Sequence, residues 1–265
     1  MDASLDAVQA TVLRIRAERF ASADTVFLCG SVSRGEATPT SDLDLVVLFP
    51  RVDAAWRESF TFESWPVECF CHDLETAEYY FSQLDRPSGI GGLTHMVLDG
   101  IALPNETPLA RQLRTQAKTN YDTGPTAWAA ADVDYSRYTI SGLMDDLRGA
   151  STPADTNAIA TVLYALLAQH VFRRANRWSA HGKTVLPRLR HVDPELAARY
   201  EAAFANAFAA GRIAPLLELC GEILAADGYL FNGYRVVSDA TWRTPIPAES
   251  AGVAVTAVPI GARRE

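Results

Sequence analysis

Two short apolar runs, Thr25 to Cys29 and Leu43 to Phe49, flank a turn of small residues, and two aspartates, Asp42 and Asp44, open the second run. A run this short, ended by a glycine, reads as a buried strand. Gly30 lets the backbone turn sharply and lets a ligand approach closely. Ser31 is placed to N-cap a short helix, whose backbone N–H groups can point at phosphate oxygens. Arg34 to Thr40 contains Gly35 and Pro39 and reads as connection. Asp42 to Leu48 then reads as a second strand, so Asp42 and Asp44 share one face while Leu43 and Leu45 share the other. Neighbouring carboxylates on one face repel each other unless a cation sits between them. Incomplete oxygen coordination suits Mg²⁺, which keeps waters and takes its remaining ligands from substrate phosphates. Ser-Asp-x-Asp alone is often a turn or cap, and Gly-Ser alone is a common loop; the combination is what points to a site.

Gly30-Ser31, Arg34-Gly35 and Ser41-Asp42-Leu43-Asp44 resemble the signature of the polymerase-β-like nucleotidyltransferase superfamily, which includes aminoglycoside, lincosamide and minimal bacterial nucleotidyltransferases. A looser match extends through Asp73. The resemblance implies a small mixed sheet flanked by helices, two Mg²⁺ ions, and nucleotidyl transfer from ATP or another nucleoside triphosphate. It also implies a third carboxylate on a neighbouring strand. Val67 to Cys71 has the β-branched and aromatic content of a strand. Glu68 points opposite to Val67 and Cys69, and an acid in an apolar strand needs a partner or a metal. Glu68 is therefore the candidate third ligand or general base. Glu63, in the preceding loop, is a weaker rival, and Asp73 reads as the cap of a helix from Leu74 to Leu84. In the implied mechanism, Asp42 and Asp44 bind metal, while Gly30, Ser31, Arg34 and Ser41 surround the nucleotide. An acceptor hydroxyl attacks in line and pyrophosphate leaves.

The rest of the chain is organised around helices. Residues 1–102 read as an α/β catalytic domain, 103–243 as an all-α helical bundle and 244–265 as a tail. The first segment reads as an amphipathic helix to about Phe20. Helices are expected at about 108–119, 133–149, 156–178, 194–211 and 213–227, with Pro108 and Asp193-Pro194-Glu195 as start signals. Arg177-Trp178 through Pro187 resembles a segment of helical domains attached to this transferase family. Ser88 to Gly92 is a flexible loop without the strand–helix context of a dinucleotide fingerprint, so it implies no cofactor.

Charge is unevenly divided. The net charge is −8, and acids far outnumber bases in residues 1–85, while the remainder is close to balanced. An acidic catalytic half suits metal and argues against broad nucleic-acid binding there. Residues 170–191 hold Arg173, Arg174, Arg177, Lys183, Arg188 and Arg190 with His170, His181 and His191 and no acid. This is either a solvated helix end or a cationic wall opposite the metal site, and Lys183 is its best candidate for a phosphate contact. Gly182-Lys183-Thr184 lacks the earlier glycine of a P-loop, because Arg177 stands there. Arg174 and His181 loosely resemble the Arg…His motif of a helical ribonuclease family.

The four cysteines, Cys29, Cys69, Cys71 and Cys220, lie mostly in apolar contexts and read as reduced, buried thiols. No apolar run is long enough to span a membrane, and the acidic N-terminus is unlike an export signal, so a cytoplasmic location is expected. The favoured acceptor is a small hydroxylated cation, aminoglycoside-like, drawn to a carboxylate-lined cleft. A protein or RNA acceptor, or a non-catalytic nucleotide-binding module of a toxin–antitoxin pair, remains as the alternative.

Overall fold

The computed structural model describes residues 4–237. Helix α1, Leu5–Arg19, begins where the Ser4 side chain accepts from the Ala7 N–H, and its buried stripe is Val8, Val12 and Ile15. Strand β1, Thr25–Cys29, leads into a single-turn helix α2, Gly30–Ser33, then strand β2, Leu43–Leu48. Strand β3, Trp56–Phe62, forms a hairpin with β4, Trp65–His72. Strand β5, Ile101–Leu103, completes a five-stranded mixed sheet of order β3-β4-β2-β1-β5. Only β2 and β4 are parallel; the other three neighbouring pairs are antiparallel.

Each face of the sheet has its own cover. Val26, Leu28, Leu43, Leu45, Val47, Val67 and Cys69 pack with α1. Phe27, Cys29, Val46 and Leu48 pack on the other face, beneath three helices. These are α3, Leu74–Tyr80, and, beyond the short turn α4 at Arg86–Ser88, α5, Gly92–Asp99, and α6, Pro108–Thr123. Asp73 caps α3 as expected, in a reciprocal pair with Thr76, and the helical run reaches Leu84 as expected, with its second part, Phe81–Asp85, wound as a π-helix. Arg114 of α6 donates to the carbonyls of Val97, Leu98 and Gly100 at 2.7–2.8 Å, which satisfies the open end of α5 and fixes it behind β1.

The remaining helices are α7, Ala130–Gly149; α8, Pro153–Arg174; α9, Val185–Val192; α10, Pro194–Ala210; and α11, Ala214–Ile223. They share one apolar core that includes Leu147, Leu163, Phe172, Tyr200 and Leu216. The expected long helix ends at Arg174 rather than 178, because Asn176 adopts a left-handed φ of +51°. Asp193 caps α10 as its Asp-Pro-Glu signal implied. The 102/103 division drawn from sequence cuts β5, and α6 still packs on the sheet. Residues through Phe231 form one contact unit, and a second begins at Asn232. The expected tail at 244–265 lies outside the described residues, as do Met1, Asp2 and Ala3. Among the described residues no helix is long and apolar enough to cross a membrane. All four cysteines are buried and unpaired with one another.

His95 of α5 receives the Arg188 guanidinium of α9 at 2.6 Å, and this bond ties the sheet's helical cover to the helices after α8. Burial, then the charge of Arg188, pushes the His95 pKa down to about 4, so its ring is a neutral acceptor. Burial does the same to His72. A histidine held neutral in the fold adds stability above its unfolded pKa, and that stability is lost as pH falls towards the folded value. Urea titrations should therefore show stability declining between pH about 6.5 and about 4. The decline should be shallower in His95→Gln; an identical slope would refute the assignment.

Candidate active site

The site lies at one end of the sheet, where β1, β2 and β4 meet. Their register pairs Asp44 with Cys29 on one side and with Glu68 on the other. Side-chain alternation brings Asp44 and Glu68 to the same face, and Asp42 follows one step before β2. One ligand oxygen from each of Asp42, Asp44 and Glu68 lies within 4.8 Å of the others, and all three residues are half-buried. Three crowded carboxylates suit a hard divalent cation, because only a cation relieves their repulsion and oxygen is its preferred donor. The strain is visible in Asp44: burial, then Asp42 and Glu68, raise its pKa, while Lys183 and Arg34 oppose the rise.

Gly30 is fitted to this cluster. Its φ is +73°, and a Cβ there would lie 2.1 Å from Asp44 Oδ2. Only glycine satisfies both conditions without displacing the carboxylate. Cys29, not Ser31, is the N-cap of α2, and it has no side-chain cap bond. Ser31 sits inside the turn, with its hydroxyl 3.2 Å from that of Ser41. Ser41 Oγ also accepts from the Thr38 N–H at 2.8 Å, so the loop folds back over α2. Arg34 is exposed and pairs with Glu36 at 2.9 Å.

Glu68 has a partner that the sequence reading missed. Arg57 of β3 donates to Glu68 Oε1 at 2.6 Å, and its guanidinium lies 5.0 Å from the centre of the Phe70 ring. The signal was present in Trp56-Arg57-Glu58-Ser59-Phe60-Thr61-Phe62, whose aromatics at alternate positions mark a strand. Glu63 stands apart from the cluster, paired with Arg14 at 2.6 Å in the β3–β4 turn.

The basic stretch separates into tasks. Arg173 is buried and donates to the Thr126 carbonyl at 2.6 Å. Arg174 grips both oxygens of Asp227, and Arg190 pairs with Glu201. His170 is buried beside Ser136 at 2.9 Å. Lys183, in the short turn Gly182–Thr184, is exposed, and its charge reaches Asp44.

Residues 10–80 match the family of nucleotidyltransferase domains, and this span contains Gly30 and all three carboxylates. The chain has no significant match among curated proteins. In structure it is similar to a nucleotidyltransferase-like protein from Exiguobacterium sibiricum 255-15. The two share 14% identity over 83% of this chain and 75% of that one, with a TM-score of 0.41.

Proposed function

We propose, from the match of residues 10–80 to nucleotidyltransferase domains, that the protein moves AMP from ATP to the hydroxyl of a small acceptor in a Mg²⁺-dependent reaction that releases pyrophosphate. The convergence of Asp42, Asp44 and Glu68 within 4.8 Å carries this reading. These three side chains would hold the metal, which when bound would neutralise triphosphate charge and polarise the α-phosphorus. Glu68 would exchange its bond to Arg57 for a place in the donor set. The amides at Gly30 and Ser31, with the Ser31 and Ser41 hydroxyls, line the side from which β- and γ-phosphates are held. Lys183 and Arg34 supply positive charge to the same phosphates. The acceptor oxygen bonds to the α-phosphorus as the bond to pyrophosphate breaks, and its proton passes to solvent or to a carboxylate of the cluster. Positioning and charge neutralisation do most of the work. The acidic balance of residues 1–85 favours a cationic, aminoglycoside-like acceptor.

The test is pyrophosphate release from ATP, GTP, CTP and UTP with Mg²⁺, across aminoglycosides, lincosamides, tRNA and protein acceptors. Release with ATP that requires one acceptor and disappears in Asp42→Asn is the expected result. Nucleotide binding without release from any acceptor would move the reading to a regulatory nucleotide-binding module. Lys183→Met should raise the KM for nucleotide roughly tenfold and leave the melting temperature unchanged, since one exposed charge-assisted contact is removed. An unaltered KM would remove Lys183 from the site.

A further inference from the structure

A depression of about 500 Å³ opens where the end of α6 meets the segment after α8 and the end of α9. Arg177, Arg188 and His191 all line it. Its one acid is Asp122, both of whose carboxylate oxygens are held by Lys118 at 2.6 Å. Arg177 and His191 make no side-chain hydrogen bond or ion pair among the described residues. Arg188 gives one nitrogen to His95, an uncharged acceptor that leaves the guanidinium charge uncompensated. In a chain of net charge −8, three basic groups therefore share one concavity whose single acid, Asp122, is bonded to Lys118 rather than to any of them.

The wall behind them is packed and hydrogen-bonded. Trp178 is buried, its Nε1 donates to the Tyr121 carbonyl at 3.0 Å, and the two rings are within 11° of parallel. A concavity of this size suits a small molecule, with an apolar wall and a few convergent polar groups. Arginine's planar fork matches phosphate oxygens, and two such forks with an imidazole match a terminal phosphate group.

We propose that this depression binds the phosphate group of a small phosphate ester, held by Arg177, Arg188 and His191. The inference does not depend on the nucleotidyl-transfer reading, because none of its residues belongs to the carboxylate cluster.

The test is calorimetric titration of the full chain in EDTA with inorganic phosphate, ribose 5-phosphate and ribose. Both phosphate compounds should bind at one site and ribose should not. Arg177→Gln should weaken binding roughly tenfold, and adding His191→Gln should weaken it further. Both residues are exposed, so the variants should melt like the parent chain. Lys183→Gln should leave phosphate binding unchanged. Absence of phosphate binding by the parent chain would overturn the inference, as would binding unchanged in Arg177→Gln, and its loss in Lys183→Gln would place the phosphate at the carboxylate site instead.

Discussion

Replacing Asp44 with Asn is expected to lower turnover by roughly a hundredfold or more, yet to make the metal-free protein harder to melt at neutral pH. The first effect follows from position. Residues that merely support metal ligands are worth about 10–100-fold, and Asp44 stands between the other two acids in the donor set. The second follows from charge. Burial, then Asp42 and Glu68, raise the Asp44 pKa, so the fold disfavours its ionised form. Such a group contributes stability that is fully present below its unfolded pKa and is lost as pH rises through the folded one. At neutral pH that contribution is gone and the repulsion acts in full; asparagine removes it. Thermal melts in EDTA should show the variant above the parent chain at neutral pH, with the gap closing in acid. A variant that melts below its parent at neutral pH, or that keeps full turnover, contradicts the cluster.

Gly30→Ala should be nearly as damaging to activity, for a steric reason. The left-handed φ alone costs an alanine about 1–2 kcal/mol, and the new methyl would stand 2.1 Å from Asp44 Oδ2. The carboxylate has to move, and misplacement of a reacting group by about 1 Å can cost on the order of a hundredfold. Gly30→Asn separates the two effects. Asparagine tolerates left-handed backbone but carries the same Cβ, so it should recover part of the lost stability and none of the activity. Gly35 is the control: its φ is +72°, but nothing lies within 4 Å of its missing Cβ. Gly35→Ala should therefore lose stability and keep turnover. Denaturant curves and kcat/KM for the three variants decide the matter, and an active Gly30→Ala would show that the close approach to Asp44 is unimportant.

The strands that carry the acids were legible because burial enforces a pattern. Leu43, Leu45 and Val47 face α1, so Asp44 had to face the other way; the same parity fixed Glu68 between Val67 and Cys69. Strand β3 is marked only by its alternating aromatics and was passed over, because it lies at the sheet edge and its side chains are only partly buried, leaving no continuous apolar run. With it went Arg57. Helix α5 was hidden by the glycines at its start. The basic stretch shows a different limit: sequence proximity says nothing about which base meets which acid. Arg174 finds Asp227 in the turn after α11 and Arg190 finds Glu201 on α10, partners fixed only by tertiary packing.

The donor acids and their competing cation differ in how firmly the sheet holds them. Asp44 and Glu68 stand on β2 and β4, strands bonded on both sides, whereas Arg57 stands on a strand bonded on one side only. Edge segments open more often than the interior of a sheet. Fraying of β3 would withdraw Arg57 and free Glu68 while the β2–β4 ladder stays closed. Metal uptake would then keep time with a local opening of the sheet edge, and the amides of Trp56 to Phe62 would exchange with solvent faster than those of Leu43 to Leu48.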